Sequence, residues 1–128
     1  MPVTSTRHER GVIWLCDGLV TGEELLLANS GDALLSPLPE FAIVDLRAVT
    51  GIDVSHRDLA FLASQDSRLT RLRPGFQVAF VSPSPEIREL VERYVDYLCK
   101  LTLPPADWEV LVADAMDDAW ASVGCAGS

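Results

Sequence analysis

Phe41-Ala42-Ile43-Val44-Asp45-Leu46 runs straight into Arg47-Ala48-Val49-Thr50-Gly51-Ile52-Asp53-Val54-Ser55. The first six residues are almost unbroken apolar material. Side chains alternate between the two faces of a strand, so such a run suits a strand covered on both sides at the centre of a sheet. Arg47 to Asp53 reads as a loop or a short strand extension. Ser55 then caps a helix, with Asp58 three positions on. That spacing lets the Ser hydroxyl and the Asp carboxylate each take an orphan backbone N–H. Asp58 also suits the positive end of the helix dipole.

Working outward, strands and helices alternate. Gly11-Val12-Ile13-Trp14-Leu15-Cys16 is a second buried strand, ended by Asp17-Gly18. Thr21 and Glu24 form a capping-box spacing for a helix with Leu25, Leu26 and Ala28 on its inner side. The helix stops near Asn29-Ser30-Gly31, and Ser36 to Pro39 is a turn-rich connection. The helix capped by Ser55 carries Leu59, Leu62, Leu69 and Leu72 or Arg73, and Pro74-Gly75 ends it. Gln77 to Val81 is a third core strand. Ile87, Leu90, Val91, Tyr94, Val95 and Leu98 then fall on one helical stripe, and Leu103-Pro104-Pro105 breaks that helix. Trp108 to Val112 is a last strand. Asp114 caps a final helix with Asp117 at the third position, and Met116, Ala119, Trp120 and Val123 face inward.

The predicted order is β-β-α-β-α-β-α-β-α. Crossover helices imply an α/β fold with a mostly parallel sheet of four to five strands and about four helices. Val3 to His8 is an edge strand or an arm, and could form an antiparallel hairpin with the next strand. Residues 1–128 read as one domain, with 124–128 a mobile tail. Such an edge could pair into a homodimer.

The chain carries 19 acidic and 10 basic residues, a formal charge of -9. That field repels phosphates at long range, so nucleic-acid binding is not expected. No run reaches the ~20 apolar residues of a membrane span, and the first ten residues hold no apolar segment of a secretory signal. Cys16, Cys99 and Cys125 are odd in number and widely spaced. That argues against a disulfide framework and for a reducing cytoplasm. Cys16 and Cys99 read as small core residues, and Cys125 as part of the tail.

The stretch from Ala42 to Ser55 resembles the corresponding segment of STAS domains, the fold of the anti-sigma-factor antagonists. More narrowly, the chain is similar to the SpoIIAA-like proteins of bacteria. A core strand ending in Asp-Leu, a Val-Thr turn and an Ile-Asp pair before a Ser-capped helix carry the resemblance. It extends from about Gly11 to Val123 and implies a non-enzymatic module that binds another protein through the loop from Gly51 to Arg57. In antagonist members that loop reads Asp-Ser-Ser-Gly, and its first serine is the phosphorylated switch. Here it reads Asp53-Val54-Ser55-His56. Val54 has no hydroxyl, so the switch is not carried over. Ser55 remains as a possible modification site, though its simplest role is the cap.

The candidate interaction or anion-binding loop is therefore Asp53, Val54, Ser55, His56 and Arg57, with Arg47 able to line the same helix end. Arg68, Arg71 and Arg73 form a basic cluster at the other end of that helix, where cations suit the dipole. Asp45 and Asp53 could be a carboxylate pair, or could each accept loop N–H groups. Phe61 lies off the main stripe of its helix and could meet a partner. No metal-ligand spacing, phosphate loop or nucleophile motif appears, so no cofactor, metal or catalytic residue is expected. The alternative is a small-ligand domain, since SpoIIAA-like proteins are similar in fold to the lipid-carrying Sec14 domains. An apolar or anionic ligand would then lie between helices and sheet, or at the helix start after Ser55.

Overall fold

A computed structural model describes residues 3–8, 10–32, 39–69, 75–82, 84–101 and 108–123. The elements run β1 (Val3–His8), β2 (Gly11–Thr21), α1 (Gly22–Asp32), β3 (Phe41–Asp53), α2 (His56–Leu69), β4 (Gln77–Val81), α3 (Pro85–Leu101), β5 (Glu109–Ala113) and α4 (Met116–Ser122). All five strands share one sheet in the order β1-β2-β3-β4-β5. β1 pairs antiparallel with β2, and the three other pairings are parallel. The fold is α/β with a mostly parallel mixed sheet, and Val3–His8 is its edge strand. The predicted turn at 36–38, the breaks at Pro74 and 103–105, the tail at 124–128 and Cys125 lie outside the described residues.

Both capping boxes form as the spacing requires. The Thr21 hydroxyl accepts from the Glu24 N–H at 3.3 Å, and Glu24 accepts the Thr21 N–H at 3.2 Å. At α2 the two reciprocal bonds between Ser55 and Asp58 are each 3.1 Å. The two helix starts also touch. A Cβ on Gly22 would fall 2.1 Å from an Asp58 carboxylate oxygen, so only glycine fits there.

Arg47–Asp53 is not a loop. β3 continues for 13 residues, because β2 continues with it beyond Asp17-Gly18. Asp17 to Thr21 pair with Ala48 to Asp53, with register shifts between Leu15 and Asp17 and between Gly18 and Leu19. Gly18, at a φ of 62°, takes the left-handed geometry at this irregularity that other residues avoid. A turn signal read from the sequence is thus absorbed into a bulge.

The last helix also differs from the expectation. Its cap position is Ala115, with no side-chain capping bond. Asp114 instead accepts from the Arg88 guanidinium of α3 at 2.5 Å. The last strand begins at Glu109, one residue later than predicted.

Alternate strand residues build two cores. Val12, Trp14, Cys16, Ala42, Val44, Leu46 and Val78 meet Ile87 and Val91 of α3, with Leu25 and Ala28 of α1 beside them. Phe41, Ile43, Ala79, Val81 and Ala113 meet Trp120 and Val123 at α4 on the opposite face. Helices α1 to α3 thus share one face of the sheet. Cys16 is buried as expected, but Cys99 is exposed. It follows buried Leu98 by one position, a turn of about 100° round the helix, which takes it off the apolar stripe. No helix among the described residues is long and apolar enough to cross a membrane.

Candidate functional site

The predicted loop does not converge on one point. Asp53, Ser55, His56 and Arg57 are exposed, whereas Val54 turns inward against α2. The Ser55 hydroxyl is engaged as the cap acceptor, and the Asp58 carboxylate sits at the helix start where an anion would. His56 contacts the Arg93 guanidinium of α3 through Nε2. Arg57 occupies the first turn of α2. Of the predicted basic cluster, the Arg68 side chain, Arg71 and Arg73 lie outside the described residues.

Arg47 turns to Asp45 instead of the helix end. It donates its backbone N–H at 3.1 Å to one carboxylate oxygen, and its side chain reaches both oxygens at 3.0 Å. Two residues apart on a strand share a face, which permits this bidentate pairing. Burial alone would raise the Asp45 pKa; the hydrogen bonds and charge of Arg47 outweigh it and hold the carboxyl below its usual range. Asp53 lies eight positions further along β3, roughly 25 Å away at strand rise. Asp45 and Asp53 are therefore not a paired-carboxylate site. The Cys16 thiol is pushed up to about 12, first by burial and then by Asp45, Asp17 and Glu24, so it is no nucleophile at neutral pH.

A concave feature lies elsewhere. A cavity of about 120 Å³ opens between the sheet and helices α1 to α3. Its origin is the seat of α2. Helix α1 rests on β1 and β2, and α3 reaches β5, but α2 packs chiefly on α1 and α3. Leu59, Leu62 and Ala63 of α2 meet Tyr94 and Leu98 of α3, and the space beneath α2 faces Val44, Leu46 and Val78 of the sheet. Among the described residues, the lining is apolar except for Asn29, Asp66 and Tyr94.

Those three polar groups meet at the helices. Asp66 on α2 is buried at 7% exposure. Its carboxylate accepts from the Tyr94 hydroxyl of α3 and, at 2.9 Å, from the Asn29 amide of α1. One carboxylate thus ties three helices together over the cavity. Burial, followed by the charge and hydrogen bond of Asp66, raises the Tyr94 pKa well above its ordinary value and keeps the phenol a donor. The sequence held a signal for Asp66 that the predicted stripe passed over. Leu59, Leu62, Ala63 and Asp66 follow i, i+3, i+4 and i+7, which places an acid on the buried face. Such an acid must find donors or coordinate something.

Among the described residues, no group of three or more His, Cys, Asp or Glu side chains could hold a metal ion. No protein-family model matches the chain, and none of the curated proteins matches it.

Proposed function

We propose that this chain is a non-catalytic binding domain and that its site is the apolar cavity beneath α2, which takes a small molecule. The single observation that carries this reading is the cavity itself, with about 120 Å³ of space whose described lining is almost wholly apolar. Ligand sites have this character: apolar walls with a few placed polar groups. A ligand that fills the space restores the dispersion contacts its walls lack. The resemblance of Ala42 to Ser55 to STAS domains, and through them to the Sec14-like fold, supports the same reading. A cytoplasmic location belongs to the proposal and rests on the three sparse, widely spaced cysteines.

Native and denatured mass spectrometry of the purified protein test it. Extra native mass that disappears on denaturation is expected. An Ala42→Ile variant, which extends a cavity-lining side chain, is expected to lose that mass. A bare chain mass, together with no stabilisation by any small apolar compound, would remove the reading.

A second reading is a protein-interaction module centred on the start of α2, with another protein or a second copy as partner. The observation that favours it is Phe61, 53% exposed and one turn beyond exposed Arg57 on the same helix face. An aromatic beside an Arg is a common anchor at interfaces. Sedimentation and pull-down with an Arg57→Ala, Phe61→Ala variant test it. Partner capture that survives both substitutions would exclude this surface.

A further inference from the structure

The pair of strands β2 and β3 carries exposed apolar surface on the face of the sheet that α4 shares. β4 ends level with Asp45. Beyond it β2 and β3 run on together, Asp17 to Thr21 beside Ala48 to Asp53. On one face of this extension, Val20, Val49 and Ile52 join the core beneath α1 to α3. The other face is different. Ile13 packs into the core at α4. Leu15, two positions on, shares its face yet is 50% exposed. Leu19, next to buried Val20, is 56% exposed. It lies across Gly51, where an added Cβ would fall 3.3 Å from its Cδ1. Exposed Ala48 adds no bulk, so the patch is flat.

We infer that this face binds a second copy of the chain. The two β2–β3 pairs stack face to face about a two-fold axis that runs along the strands. Charge is the first argument. Asp17 is exposed on the patch, and the Arg47 side chain is 51% exposed even while it pairs with Asp45. Asp17 stands in register with Ala48, one position from Arg47. An axis between β2 and β3 exchanges the two strands, so it sets Asp17 of each copy against Arg47 of the other. Self-complementarity of this kind is what a two-fold contact requires.

Shape is the second argument. The same axis lays each Leu19–Gly51 row on its counterpart and each Leu15 over the row of Asp45. Flat faces of twisted sheets stack in this aligned manner, about 10 Å apart. The charge of -9 opposes association at long range. At physiological salt that repulsion is screened beyond about 8 Å, whereas contacts within the patch act at closer range.

Sedimentation equilibrium from about 1 μM to about 1 mM protein tests this. The parent is expected to pass from one chain to two as its concentration rises. Leu19→Glu should raise the dissociation constant at least about tenfold. Leu15→Glu should do the same, and decides the matter if the first variant does not fold. Asp17→Arg should also weaken the dimer, because it sets two guanidinium groups together. It makes the chain less acidic, so an association governed by net charge alone would strengthen instead. Phe61→Glu, on α2, should leave the dimer intact. A single-chain mass at every concentration would overturn the inference. So would a dimer that survives Leu19→Glu and Leu15→Glu, that strengthens with Asp17→Arg, or that Phe61→Glu disrupts.

Discussion

The Tyr94 hydroxyl donates to the Asp66 carboxylate, joining α3 to α2 across 28 positions of chain in a place where both side chains are buried. Asn29 of α1 holds the other carboxylate oxygen at 2.9 Å. A buried carboxylate is costly unless its lone pairs are met. Here Tyr94 and Asn29 both serve that requirement from separate helices, in an arrangement that seats α2 over the cavity.

Tyr94→Phe keeps the ring and deletes the hydroxyl. It leaves one Asp66 oxygen short of a buried donor, which should cost about 1–3 kcal/mol. Tyr94→Phe combined with Asp66→Asn should cost less than the sum of the two single changes. Urea unfolding of the four proteins measures this. Strict additivity would show that the bond carries no coupling.

Ala42→Ile places three more carbons into the cavity from the central strand. The ligand-free protein should gain roughly 1 kcal/mol, as cavity-filling changes commonly do. Denaturant midpoints without added ligand check it. A loss exceeding about 1 kcal/mol would mean that the walls cannot accept the added volume.

Ser55→Ala removes the hydroxyl that accepts the Asp58 N–H at 3.1 Å. The expected cost is about 1 kcal/mol, the ordinary value of such a cap. Ser55→Asp should retain most of the stability, because a carboxylate caps equally well. Thermal unfolding separates the two variants. Equal stability of Ser55→Ala and the parent would show that the cap is dispensable.

Against the opposing effect of burial, Arg47 holds the Asp45 carboxyl below the ordinary carboxylate range. Its depressed folded-state pKa contributes stability that is fully present above the unfolded-state value. That contribution is lost as the pH falls below about 3.8 toward the folded value. Arg47→Gln should therefore lower stability at neutral pH and flatten its decline as the pH falls below about 4. Unfolding curves across that range decide it. Parallel pH profiles for parent and variant would remove the pair from the acid response.

Much of the fold was legible locally. The apolar run from Phe41, the stripe from Ile87 to Leu98 and the boxes at Thr21/Glu24 and Ser55/Asp58 each depend on neighbours within a few positions. Periodicity and capping chemistry therefore sufficed for the element order and a mostly parallel sheet. Asp17-Gly18 was misread because a turn and a bulge share the same residue types, and only the pairing of β2 with β3 distinguishes them. The expected cap at Asp114 does not form, and its partner, Arg88, comes from another helix, out of reach of any local pattern.

The candidate site divides in the same way. The sequence by itself determined that Ser55 caps α2, that Val54 cannot be a phosphorylated switch, and that Leu59 and Leu62 face inward. Only the tertiary structure decided that Arg47 serves Asp45, and that Asp66 is met by Asn29 and Tyr94 from separate helices. It alone decided that α2 leans on its neighbouring helices and leaves a cavity above the sheet. Those outcomes depend on contacts between distant segments. Side-chain volumes and buried donors settle them together, and no local pattern encodes that balance.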